Sequence, residues 1–209
     1  MKRLLRLLGA GVALIIRACT AFYLYGARQA QQAVPCAGLP IDPVYQFDYP
    51  AVVCFAAGEN KSVATSGCGA TCMSMVIEYL TDDSAQTPQT LFEDAWRRGD
   101  YYGYGLSHDA MDRLARQNGV SGKWIGKDAE TLRRALNEGC PVIAHMGPGQ
   151  FAEEGHYILL RGLDEDGRVV LNDPNSRENT KNVFSLEQII AEAKTNTPFM
   201  VCRLAKRSD

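Results

Sequence analysis

A change of period part-way along the chain constrains its fold more than any other feature. From Cys68 to about residue 138 the apolar residues recur at helical spacing, and from Pro141 onward they run as strands. Helices gathered first and strands gathered last exclude an alternating βαβ winding. They predict an α+β domain in which N-terminal helices pack on an antiparallel sheet. The leading helix opens at Ser66-Gly67-Cys68-Gly69-Ala70-Thr71-Cys72, turns Met75, Val76, Tyr79 and Leu80 inward, and ends near Leu80. The next has Thr87 as its cap, Pro88 at the first helical position and Gly99 past its end. Ser107 and Asp128 cap two more. Strands are expected over residues 141–146, 157–163, 168–172 and 199–204, with Asp164-Glu165-Asp166-Gly167 as a hairpin turn. Ser185 with Gln188, flanked by Phe184 and Ile189, has the pattern of a capping box and staple.

Cys68 stands between two glycines at the mouth of the leading helix. There the exposed N–H groups and the positive end of the helix dipole favour a thiolate, and the glycines let other atoms approach the sulfur. The alternative is a buried cysteine in a Gly-rich turn. The histidines separate the two. His156 opens the strand Tyr157-Ile158-Leu159-Leu160, and the following strand runs out at Asn172-Asp173-Pro174. A hairpin through residues 164–167 brings His156 and Asp173 to the same end. That makes an oriented general base for a nucleophile on the packed helix. Asn172 belongs to the opposite face of its strand and is the weaker orienting candidate.

The sequence Gly67-Cys68-Gly69-Ala70-Thr71-Cys72-Met73-Ser74-Met75, then Gly155-His156-Tyr157-Ile158-Leu159-Leu160-Arg161-Gly162, then Asn172-Asp173-Pro174 resembles the C39-like branch of the papain-like cysteine peptidases. That branch includes the leader-processing domains of bacteriocin exporters and stand-alone secreted members. The resemblance implies a papain-like fold over residues 49–205. It also implies Cys68 as nucleophile, His156 as general base and acid, and Asp173 as the residue that orients it. The exporter peptidases carry a glutamine about six residues before the cysteine, where it completes the oxyanion hole. Here Ser62 stands at that place and no glutamine occurs between Gln46 and Cys68. Ser62 and Asn60 are therefore the expected side-chain donors. The chemistry implied is hydrolysis of peptide bonds in a peptide or protein, without a cofactor or metal. The alternatives are a non-catalytic peptide-binding domain and an amidohydrolase or acyltransferase using the same three residues.

Residues 1–26 hold Lys2, Arg3, Arg6 and Arg17 and no acid, and residues 7–25 are otherwise apolar. About nineteen such residues suffice to cross a bilayer, so a signal anchor or signal peptide is expected there. Residues 27–48 read as a linker and lead-in. The catalytic domain is thus expected outside the cytoplasmic membrane, anchored or secreted. A formal net charge of −2 gives no basic footprint for nucleic acid. Export would permit disulfides among the seven cysteines, with Cys36–Cys54 and Cys140–Cys202 as candidate pairs and Cys72 as a core thiol. His108 and His145 are expected to be structural or at the surface. The loop Tyr101-Tyr102-Gly103-Tyr104-Gly105 is either a packed turn or a groove wall.

Overall fold

A computed structural model of the chain describes residues 38–206. The expected signal anchor or signal peptide over residues 1–26, the linker up to residue 37 and Cys36 lie outside the described residues. Among the described residues, no helix is long and apolar enough to cross a membrane.

The architecture is α+β. A hairpin of β1 (Val52–Ala56) and β2 (Glu59–Ser62) leads into α1 (Val63–Ser66), α2 (Cys68–Thr81), α3 (Pro88–Arg97) and α4 (His108–Gln117). There follow β3 (Val120–Ile125), α5 (Ala129–Asn137), β4 (Val142–Met146), β5 (His156–Leu163) and β6 (Val169–Asn172). The chain continues through α6 (Arg177–Lys181), β7 (Val183–Phe184), α7 (Leu186–Glu192) and β8 (Phe199–Leu204). The larger sheet has the order β3-β8-β4-β5-β6-β7 and is antiparallel at every pairing. The expected caps are in place: the Thr87, Ser107, Asp128 and Ser185 side chains accept the N–H groups of Thr90, Ala110, Thr131 and Gln188. The Gln188 side chain runs along α7 to Glu192 (3.0 Å) instead of back to its cap, so that capping box is half made.

Both faces of the sheet are covered. Met73, Val76 and Ile77 of α2, Leu91 and Phe92 of α3, and Met111 and Leu114 of α4 pack against Ile143, Leu159 and Met200. On the other face Leu132 and Leu136 of α5 and Leu186 and Ile189 of α7 pack against Ala144, Ile158, Leu171 and Phe199. The central strands read as unbroken apolar runs because successive side chains enter different cores. Fully burying such a side chain contributes about 1.5–3 kcal/mol.

Three features differ from expectation. Strand β3 lies among the helices in sequence, at the edge of the sheet beside β8. Its Gly122 hides the strand pattern, and a Cβ there would have to displace the flexible end of Met200. Cys140 and Cys202 do not form the expected disulfide, and both are free thiols. Cys202 faces the α2–α4 core while Cys140 faces the α5 and α7 core, on opposite sides of the sheet. Cys54 is a free thiol, and its candidate partner Cys36 lies outside the described residues. Finally, the chain just after the lead-in, for which no strand is expected above, forms the β1–β2 hairpin. Its turn residues Ala57 and Gly58 both have positive φ (51° and 82°), as the tightest hairpin turns require.

The lead-in is stitched onto the β5–β6 hairpin. The Leu39 N–H donates to the Arg161 carbonyl (2.6 Å) and the Arg161 guanidinium donates to the Leu39 carbonyl (2.8 Å). Buried Asn172 donates to the Ile41 carbonyl (3.0 Å), the use found for the weaker orienting candidate. The Gln46 N–H donates to the Pro174 carbonyl (2.8 Å) and so fixes a short 3-10 turn at Gln46–Asp48.

Candidate active site

Gly67 forms the joint between α1 and α2. A Cβ there would stand 2.6 Å from the Val63 Cα, so the chain passes from one helix into the next only with glycine. At Gly69 a Cβ would meet the Met111 sulfur at 2.9 Å and the Tyr157 ring at 3.2 Å. The two glycines thus set the first turn of α2 tightly against β5, a packing reason more specific than access to the sulfur. Cys68 is left as the first residue of a 14-residue helix, where N–H groups have no intrahelical partner.

The β5–β6 register runs Leu159 opposite Asn172 and Leu160 opposite Leu171, then slips at a bulge before Gly162 opposite Val170. His156 therefore reaches Asp173 diagonally. Its Nε2 lies 2.7 Å from Asp173 Oδ1, with both side chains buried. The Asn175 N–H donates to the same oxygen (2.8 Å), and Asn179 Nδ2 donates to Asp173 Oδ2 (2.7 Å). Gln150 holds Asn179 in turn, through Nε2 to Oδ1 (3.1 Å). With Nε2 engaged by Asp173, Nδ1 is the ring nitrogen left for Cys68, which lines the same cavity and is electrostatically coupled to His156.

The electrostatics follow from these contacts. Burial pushes the Cys68 thiol up, but the hydrogen bond and charge of His156, with backbone contacts from Tyr157 and Gly69, more than offset it. The net result is below the ordinary thiol value. Burial would push His156 down, yet its hydrogen bonds to Asp173 and Cys68 raise it to about 10. Each group thus favours the charged form of the other, the thiolate of Cys68 and the imidazolium of His156. Cys72, one turn further on, is fully buried, donates to the Tyr157 carbonyl (3.4 Å) and is raised well above the ordinary range, so it is a core thiol.

Cys68, His156 and Asn175 border an open cavity of about 490 Å³. Neither Ser62 nor Asn60 reaches it. Asn60 is exposed on β2, and Ser62 is buried at the N-cap of α1, where its N–H donates to Thr65 Oγ1 (3.0 Å). The amide upstream of Cys68 that does border the cavity is Gln46. Its Nε2 donates one hydrogen to the Ala64 carbonyl (3.0 Å) and keeps a second for another acceptor. Sequence spacing hides this residue because the whole β1–β2 hairpin is inserted between it and Cys68. The one trace in the sequence is that Gln46 is the last glutamine before the cysteine.

The model of the Peptidase_C39 like family matches residues 39–196. The chain belongs to that family. It is thereby a cysteine peptidase of papain-like fold, in agreement with the helix-on-sheet architecture. Two solved structures are similar to this C39-like chain. One is the peptidase domain of Streptococcus ComA, a bi-functional ABC transporter involved in a quorum-sensing pathway. It has 20% identity and a TM-score of 0.48, over 68% of this chain and 93% of that one. The other is a double-glycine-motif protease from an AMS/PCAT transporter in complex with its leader peptide. It has 20% identity and a TM-score of 0.46, over 78% and 98%. No curated protein matches the chain.

The rest of the C39-like cavity is built from residues the sequence left as structural. In the glycine-aromatic loop, Tyr101 packs edge-on against Phe92 (4.7 Å between centroids) while Tyr104, 90% exposed, borders the cavity. The loop is both packed turn and wall. His145 also lines the cavity, stacked on Tyr157 (4.5 Å), with Nδ1 3.1 Å from His108 Nε2. His108 is stacked in turn on Trp124 at 3.7 Å. Burial lowers both histidines, His145 to about 4.

Proposed function

We propose that this C39-like peptidase hydrolyses peptide bonds with Cys68 as nucleophile, His156 as acid and base, and Asp173 as its orienting partner. The observation that carries this reading is the buried 2.7 Å contact between His156 and Asp173, with Cys68 and the same imidazole both lining one open cavity. The Cys68 thiolate attacks the amide carbonyl carbon. The oxyanion takes hydrogen bonds from the N-terminal N–H groups of α2 and from the spare Gln46 Nε2–H. His156 gives its Nδ1 proton to the leaving amine, which departs and leaves a thioester. A water molecule, losing its proton to His156, attacks the thioester and releases the acid and the Cys68 thiolate. Asp173, held by Asn175 and Asn179, keeps the ring oriented through both steps by holding its Nε2–H while Nδ1 gives up and regains a proton.

The substrate is a peptide or protein, and the chemistry needs no metal or cofactor. We assign the work to the outside of the cytoplasmic membrane, on the basic and then apolar pattern of residues 1–26. The test is iodoacetamide labelling at neutral pH alongside peptide hydrolysis. Cys68 should react faster than a free cysteine, and His156→Ala should abolish both that excess and turnover. Ordinary thiol reactivity in the native protein, unchanged by His156→Ala, would overturn the reading.

A further inference from the structure

Lys194 is an exposed residue at the foot of the loop from α7 to β8, and it lines the same cavity as Cys68. Its backbone N–H donates to the His145 carbonyl (2.8 Å), and Ala193 bridges Met146, so it rides on the end of β4. Its side chain lies over Gly155: a Cβ at that position would stand 2.7 Å from Lys194 Nζ and 3.6 Å from His145 Nε2. Glycine immediately before His156 therefore gives the ammonium and the imidazole a common space beside the base. Lys61, the other lysine of the cavity, is committed to Glu59 (2.8 Å). Among the described residues Lys194 makes no ion pair or side-chain hydrogen bond, including with Glu154 on the same cavity.

The chemistry of this corner is that of a carboxylate receptor. His145 Nδ1 is taken up with His108, which leaves Nε2 as the edge facing the cavity. When His108 donates through its Nε2–H, His145 carries its own proton on Nε2 and presents it beside the lysine. A carboxylate then receives one charge-assisted and one neutral hydrogen bond. A lysine or arginine side chain in the same place meets Lys194 as a like charge.

We propose that Lys194 and His145 form a specificity subsite that selects an acidic side chain, Asp or Glu, next to the scissile bond. This rests on the proposed peptidase reading of Cys68 and His156 and adds the substrate class that the site prefers.

The test uses peptidyl vinyl sulfones, in which Asp, Asn or Lys is placed in turn at each position flanking the warhead. The rate of covalent labelling at Cys68 is measured in the full chain. In the native protein one position should favour Asp over Asn by about tenfold and disfavour Lys. Lys194→Glu should reverse that order at the same position, each rate being normalised to the variant's own Asn probe. Lys194→Arg should keep the order, and His145→Ala should weaken the Asp preference without reversing it. Equal labelling by the three probes at every position would overturn the subsite, as would a preference that survives Lys194→Glu. Hydrolysis of the matching peptides is scored in parallel. Acid-selective labelling without turnover would sink the peptidase reading and leave the subsite standing, whereas turnover without charge selection would do the reverse.

Discussion

Two histidine pairs flank one cavity and finish in opposite charge states. His156 with Asp173 is held protonated up to about 10, whereas His145 with His108 is driven down to about 4. Burial pushes all of them toward the neutral form, so burial does not distinguish the pairs. The partner does. A carboxylate, itself fixed by Asn175 and Asn179, rewards the proton on His156. A second imidazole, with Lys194 and His156 as further positive neighbours, penalises it on His145. One pair is therefore suited to moving a proton and the other to presenting a fixed, uncharged edge to a ligand.

The largest test of that contrast is His156→Ala, expected to lower peptide turnover by about 10²–10⁴-fold. His108→Phe, which keeps a flat ring on Trp124, should leave turnover far closer to native. Equal losses would erase the distinction between the pairs. Next in size is Gln46→Ala, expected to cost about 10²–10³-fold in kcat/KM. Alkylation of Cys68 by iodoacetamide develops no oxyanion, so the same variant should keep its labelling rate. A parallel fall in both would remove Gln46 from the oxyanion hole.

The pH dependence separates the pairs by sign. The raised His156 contributes stability that is fully present below its unfolded value of about 6.5 and is lost as pH climbs through about 10. The depressed His145 contributes stability that is present above about 6.5 and lost as pH falls through about 4. Thermal melting against pH should therefore slope downward on both sides of neutrality, and Asp173→Asn should flatten the alkaline slope alone. Turnover should follow a bell, with its acid limb below the ordinary thiol range and its alkaline limb approaching 10. Histidine NMR titrations read the same two values directly. The smallest effect belongs to the stability of His108→Phe. It leaves His145 Nδ1 without a protein partner and should cost about 1 kcal/mol by chemical denaturation.

The sequence discloses some parts of this site and hides others for identifiable reasons. Cys68, His156 and Asp173 are legible because a helix start and a hairpin are local devices, and the hairpin turn at Asp164 to Gly167 fixes which ends meet. The bulge between Leu160 and Gly162 alters that register, but a histidine is long enough to span the diagonal. Gln46 is illegible because its position depends on a bond to Pro174 and on a hairpin of arbitrary length placed before Cys68. β3 is illegible because Gly122 interrupts its short pattern and its partner β8 lies far off in sequence. The supposed Cys140–Cys202 link failed on facing: adjacency to neighbouring strands says nothing about which side of the sheet each sulfur enters. His145 and His108 looked structural because nothing in their spacing reveals that His145 lines the cavity with His108 bonded behind it.

The stitched lead-in also bears on the order in which the protein assembles. Its bonds from Leu39 to Arg161 and from Ile41 to Asn172 close loops of 122 and 131 residues. Nothing exists for that segment to dock on until the β5–β6 hairpin has been synthesised and paired, and contacts of such separation form late. During synthesis α2 is available early, so Cys68 precedes His156 and Asp173, the residues proposed to activate it. Gln46 swings into place only when the C-terminal half closes over the earliest part of the described chain. On that order the proposed nucleophile, Cys68, meets its proposed activating groups only in a late step of folding.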